Sequence, residues 1–258
     1  MTFSIIDAHI HLDHYEEKQL TELMRNVTSV EALISVSFNL VSSQKNKTMA
    51  QRFQKVKPAY GFHPEQDLPS ESELSELLSW MELEKVNMVA IGEVGLPYYR
   101  RLEGNVTASE YGQYIELLEE FIKRASQWSK PIALHAVYDD APIVCDLLEK
   151  HSVKNAHFHW FKGDDATLGR MAENGYHISI TPDVLYEEEI QKIVSMFPLS
   201  QTMVETDGPW PFEGPFEGKM TNPLMMKESL YEISRIHRIP LEEVALTVLE
   251  TTKRFYRL

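Results

Sequence analysis

Ile5-Ile6-Asp7-Ala8-His9-Ile10-His11 is a short apolar run that ends on two histidines one residue apart. On an extended strand, side chains at i and i+2 point to the same side. His9 and His11 therefore face one side together, as two imidazoles must to share a metal. Four more residues stand at or just past the end of a strand-like apolar run: Glu93, His135, His159 and Asp207. A barrel that presents ligands from separate strands produces this recurrence.

Working outward, strand-like runs cover Ser4–His9, Ala32–Phe38, Pro58–Phe62, Met88–Glu93, Ile132–His135, Ala156–His159, His177–Ile180 and Thr202–Glu205. Most are apolar on both faces, as strands of a buried parallel sheet are. Helical patterns fall between them. Glu71–Lys85 opens after Ser70, a good N-cap. Ser109–Ser129 carries a stripe of Tyr114, Leu117, Leu118, Phe121 and Ala125, read as core. Eight βα units in a chain of 258 residues predict an α/β fold. They point to a single (β/α)8 TIM barrel over residues 1–258, a fold typically of about 250 residues. Gly208–Pro223, rich in Pro, Gly and Phe, reads as a long ordered loop over the barrel mouth. Two further helical stretches follow it, the last predicted over Leu241–Phe255 after Pro240. The run Glu187-Glu188-Glu189 reads as a solvated helix start.

Composition narrows the function. A formal net charge of −14 repels phosphate backbones at long range and argues against a broad nucleic-acid-binding face. A single cysteine, Cys145, excludes an intrachain disulfide and a cysteine-rich zinc module, and is expected to be a buried, inert thiol. Met1-Thr2-Phe3-Ser4 lacks a basic region followed by an apolar core, so no signal peptide is expected. No run reaches the roughly 18 apolar residues of a membrane span. A cytoplasmic protein without membrane contact is the expectation.

In a barrel the C-terminal strand ends build the active site, so all six residues converge on one mouth. Imidazole and carboxylate without thiolate suit Zn, Mn, Fe or Co, with Mg possible at a carboxylate-rich half-site. Four histidines and two carboxylates exceed what one tetrahedral ion needs. Two divalent ions bridged by Glu93 would use them all, and ions about 3.5–4 Å apart clamp both oxygens of a hydrolytic displacement.

Over essentially its whole length the chain resembles the TatD family of metal-dependent hydrolases, within the amidohydrolase superfamily. The matching stretches are Ile6-Asp7-Ala8-His9-Ile10-His11-Leu12, Gly61-Phe62-His63-Pro64 and Ala90-Ile91-Gly92-Glu93-Val94-Gly95-Leu96, followed by Pro131-Ile132-Ala133-Leu134-His135, His159-Trp160-Phe161-Lys162-Gly163 and Glu205-Thr206-Asp207. The resemblance implies a TIM barrel with divalent ions and, as in many members, deoxyribonuclease activity. It implies that His9, His11, Glu93 and Asp207 hold one ion, and that Glu93, His135 and His159 hold the other. Catalysis would rest on Asp207 and Glu93, with Asp207 orienting and deprotonating the attacking water. DNA or a small phosphodiester or ester is the implied partner.

The chain departs from the family pattern at several places. Pro97 stands where an Asp is usual, Val137 where an Arg is common, and Thr251 where an Asn is usual. Lys162 occupies the fourth position of a His-Cys-Phe-Thr-Gly-like motif, and Met220-Thr221-Asn222-Pro223 replaces an Arg-Asn-Glu-Pro-like segment. Two family cations are thus missing. Hydrolysis of a small amide, ester or lactone is the competing reading. His63 and Lys162 are candidate substrate contacts, His63 alternatively a ligand of a third ion or a structural rim residue. Arg100 and Arg101 read as solvated loop charges, and Tyr98, Tyr99, Trp160 and Trp210 as rim packing. His14, His151, His157, His177 and His237 read as structural, although His157 forms a second His-x-His with His159.

Overall fold

The computed structural model describes residues 3–258. Its strands are β1 (Ile5–Ile10), β2 (Val30–Ser35), β3 (Val56–Tyr60), β4 (Ala90–Gly95), β5 (Ile132–His135), β6 (Ala156–Phe158), β7 (His177–Ile180) and β8 (Thr202–Val204). They lie side by side in chain order, each parallel to the next. Just past β8 the ring draws shut on β1. The Asp207 N–H donates to the His9 carbonyl at 2.9 Å, and the His11 N–H donates to the Gly208 carbonyl at 2.8 Å. The result is the (β/α)8 barrel expected from the eight βα units.

Helices pack outside the sheet, and their starts follow local chemistry. Ser70 and Thr107 each close a capping box, ahead of helices Glu71–Glu84 and Ala108–Trp128. Such caps are worth ~1 kcal/mol each. The main apolar core lies between sheet and helices, with Phe121, Phe158, Tyr176 and Phe197 fully buried. A second, smaller core of mostly small residues fills the barrel interior, including Ala8, Ala32, Ala59, Ala90 and Ala133. Phe255 and Tyr256, from the last helix Leu241–Tyr256, insert into that interior layer. Cys145 is buried, and burial pushes its thiol up to about 12.

Several element ends differ from the sequence reading. β2 and β3 stop short of Phe38 and Phe62, while β1 and β4 run on to Ile10 and Gly95. The reason is pairing: Ile10 still opposes Ser35, and Gly95 opposes His135. Only a glycine fits at 95, because a Cβ there would lie 1.9 Å from the His135 carbonyl oxygen. His9 and Glu93 are therefore inside their strands, not at the ends. A five-residue helix, Tyr98–Leu102, follows β4 and was not expected. After β8, the loop is organised by Phe212, Phe216 and Met225, which pack with Trp160 and Leu185. Among the described residues, no helix is long and apolar enough to cross a membrane.

Candidate metal centre

Two bulges aim the central ligands. From Asp7 to Ile10, β1 spends three residue steps where β2 spends two, Leu33 to Ser35. From Ile91 to Val94, β4 again spends three steps against two in β5, Ile132 to Leu134. An extra residue bends the strand and re-aims its side chains. The first bulge contains His9, and the second contains Glu93. Both side chains are buried, and both turn into the barrel mouth.

The two oxygens of Glu93 divide the site. Oε2 lies 3.0 Å from His9 Nε2 and 3.2 Å from His11 Nε2. Asp207 Oδ1 completes that group, 3.4 Å from each of the same two nitrogens. Oε1 lies 3.1 Å from His135 Nδ1, 2.8 Å from His159 Nε2 and 3.2 Å from His63 Nε2. The structure thus brings all six sequence-derived candidates together and adds His63 to the second group.

The arrangement fits metal ions on three observations. Two donors about 2.0–2.2 Å from one ion lie about 2.8–3.6 Å from each other in tetrahedral or octahedral geometry, which spans the separations above. Asp207 Oδ1 is buried and has no hydrogen-bond partner. The charges also ask for a cation. Burial would raise Glu93 and Asp207, yet both are held below their ordinary values by the imidazoles around them. Burial would lower His11, yet the Asp207 and Glu93 carboxylates push it up to about 10, and His159 and His135 rise as well. Burial holds His9 and His63 down, so the charge that balances the two buried carboxylates falls on His11, His135 and His159. A divalent ion provides the same balance and leaves the imidazoles neutral, as ligation requires.

Outer residues fix the ligands, and these the sequence reading missed. Glu65 Oε1 lies 3.2 Å from His135 Nε2, while the Tyr99 and Arg100 amides donate to the same carboxylate at 2.9 Å. Burial would raise Glu65, but the His135 contact and these amides outweigh it and hold it low. Glu205 Oε1 lies 3.4 Å from His159 Nδ1 and accepts the Trp160 N–H at 2.8 Å. Carboxylates behind ligating imidazoles fix ring orientation and raise basicity. Asp7 accepts from the Thr206 hydroxyl at 2.6 Å and its amide at 3.0 Å, which ties β1 to the Asp207 segment. Burial pushes Asp7 up to about 8. Asp207 (φ 49°) and Trp160 (φ 39°) both sit in the left-handed region. Such strain costs on the order of 1–3 kcal/mol and persists only where the surroundings impose it; for both, the amide bonds above supply that constraint.

The mouth is a cavity of about 720 Å³ lined by Phe38, His63, Tyr99, Trp160 and Trp210 above the ligands. Trp160 is fixed as a wall: its indole N–H donates to Asp183 at 2.6 Å. Lys162 does not line this cavity; its Nζ lies 5.8 Å from the Trp160 ring. His63 stacks on Phe38 at 4.0 Å and accepts the Glu65 N–H at Nδ1. His14 lies at the edge, its ring 5.4 Å from that of His11. His157 points below the site, to Tyr256 and Ser179, and His151 pairs with Glu119 at 2.7 Å.

The chain is similar to known proteins in sequence and in shape. A family profile described as TatD related DNase matches residues 6–257. An uncharacterized metal-dependent hydrolase of Haemophilus influenzae is 36% identical, over 98% of this chain and 100% of its own length. The human protein named deoxyribonuclease TATDN3 is 27% identical, over 98% of this chain and 95% of its own. Among solved structures, the TatD homologue YJJV of Escherichia coli superposes with a TM-score of 0.88 at 23% identity, covering 100% of both chains. That last likeness is one of fold.

Proposed function

The chain belongs to the TatD family of metal-dependent hydrolases, and we propose that it hydrolyses phosphodiester bonds, as a TatD-type deoxyribonuclease does, at the Glu93 cluster. The observation that carries this reading is the split of Glu93, one oxygen facing His9, His11 and Asp207 and the other facing His63, His135 and His159. A bound divalent pair supplies Lewis acidity toward a phosphoryl oxygen and lowers the pKa of water. The protein's part is to place and to move protons. Glu93 holds the two ligand groups at a fixed spacing. Glu65 and Glu205 keep the rings of His135 and His159 turned toward it. Asp207, which lines the mouth, takes one proton of the attacking water as the water oxygen bonds to phosphorus, and that proton passes to the leaving alkoxide oxygen as its bond to phosphorus breaks.

The test is Asp207→Asn. The amide keeps the shape and a neutral oxygen but accepts no proton. A positioned general base is worth about 10²–10⁴-fold, so turnover of a phosphodiester should fall in or above that range. Metal content by elemental analysis should drop only partly. Near-normal turnover with full metal would remove Asp207 from this role. One observation favours a second reading, hydrolysis of a small amide, ester or lactone: the arginines near the mouth are paired with carboxylates. A substrate screen on the metal-loaded protein separates the two, since only the second predicts turnover of carboxylic esters in the absence of phosphodiester cleavage.

A further inference from the structure

The cavity walls carry aromatic rings and almost no free positive charge. Among its lining residues Arg100 is the one lysine or arginine, and its guanidinium lies 2.5 Å from the Asp67 carboxylate. Glu65 and Glu103 line the same cavity. The neighbouring Arg101 is held by Asp139 at 2.7 Å and by Asp140 at 2.8 Å. A protein that tracks a polynucleotide neutralises successive phosphates with lysine and arginine. This mouth offers no such series, on a chain of net charge −14. Charge compensation is concentrated at one point, the ligand cluster, and suffices for one phosphate.

Two exposed rings flank that point. Tyr99, 45% exposed, has its ring centroid 6.0 Å from that of His135. Trp210, 41% exposed, has its ring centroid 6.4 Å from that of His11. The two rings therefore adjoin different halves of the cluster, one beside the His135 group and one beside the His11 group. Exposed aromatic faces beside a phosphate site stack on bases without regard to sequence. A cavity of about 720 Å³ is the size that encloses one drug-sized molecule.

We propose that the substrate is a short phosphodiester with one bridging phosphate and an aromatic group on each side, a dinucleotide being the simplest case. This rests on the phosphodiesterase reading above and narrows it. A third or fourth nucleotide gains no lysine or arginine from the cavity lining other than the paired Arg100, and meets Glu65, Glu103 or Asp67 instead. Affinity therefore stops rising at two nucleotides. Trp210 and Tyr99 are the groups that hold the bases.

The experiment is a binding titration followed by intrinsic tryptophan fluorescence. Metal-loaded Asp207→Asn protein is titrated with thymidine oligonucleotides of two, four and twelve residues, at 50 and 200 mM salt. The expected result is a dissociation constant, expressed per internucleotide phosphate, that for the dinucleotide lies within about threefold of that for the twelve-mer, and a salt effect below about threefold. A strand-tracking protein with several phosphate contacts would instead lose orders of magnitude in affinity over that salt range. A per-phosphate affinity that climbs tenfold or more from two to twelve residues overturns the proposal, as does failure of every length to bind. Trp210→Ala in the same background should weaken the dinucleotide about fivefold or more, the loss of one stacked base, and Trp210→Phe should restore most of it. An unchanged affinity in Trp210→Ala overturns the base-stacking role. Cleavage of the same oligonucleotides by the unsubstituted protein is scored separately. If the dinucleotide binds as described but no length is cut, the phosphodiesterase reading falls while the preference for a short aromatic ligand stands.

Discussion

His9-Ile10-His11 and His157-Phe158-His159 are the same pattern on two strands of one barrel, and they end differently. In the first, both imidazoles reach the same Glu93 oxygen, with ring centroids 5.2 Å apart. In the second, His159 reaches Glu93 while His157 lies a layer lower, its Nδ1 2.8 Å from the Tyr256 hydroxyl and its Nε2 2.6 Å from Ser179 Oγ. The difference is local geometry. Residues i and i+2 of a regular strand stand about 6.6 Å apart. β6 stays in register with both neighbours, His157 pairing with Ala133 and His177, and His159 stands just past its end. β1 carries an extra residue between Asp7 and Ile10, which brings His9 and His11 to one point. In this barrel the His-x-His on the bulged strand shares one carboxylate oxygen, and the one on the strand without a bulge divides between two layers.

The largest effect expected from breaking the gathered arrangement is at Glu93. Glu93→Gln removes the charge common to both ligand groups. Turnover should fall by about 10²-fold or more, beyond the 10–100-fold that losing an outer partner costs, and bound metal should fall in both groups by elemental analysis. Retention of full metal content would show that Glu93 is not the bridge. The next contrast sets the two β6 histidines against each other. His159→Ala should reduce metal content and leave the urea midpoint nearly unchanged. His157→Ala should do the reverse. It takes one of two partners from each of the Tyr256 and Ser179 hydroxyls and opens a buried void, for ~2–4 kcal/mol of stability, with metal content retained. Matching losses of metal in the two variants would erase the distinction between the layers. Smallest is Tyr256→Phe, which removes the hydroxyl that lies 3.1 Å from the Ala8 carbonyl and 2.8 Å from His157. About 1 kcal/mol of stability is expected, read in the same urea melts, with no change in metal content.

These contrasts show what a sequence displays of such a site. Apolar runs and helix caps displayed the barrel, because burial on both faces and the chemistry at Ser70 are local facts. The six candidate ligands were legible for the same reason: each stands in or beside a strand run, His9 and His11 sharing one. The bulges were not legible, since an extra residue in β1 or β4 is defined only against its partner strand. Glu65 was passed over because its bond to His135 spans 70 positions and no local pattern joins them. Glu205 was read as a motif neighbour of Asp207, while its contact with His159 depends on β6 and β8 meeting across β7. His63 was read as a substrate contact, a ligand of a third ion or a rim residue. The structure sets its Nε2 at the same Glu93 oxygen as His135 and His159, a convergence set by how three strands pack.

The central claim is that one carboxylate is shared by two metal positions. Anomalous diffraction from crystals of the manganese-loaded protein tests it most directly. The account predicts two peaks on either side of the Glu93 carboxylate, one among His9, His11 and Asp207 and the other among His63, His135 and His159. A single peak with all ligands on one side of Glu93, or peaks away from that carboxylate, would contradict it.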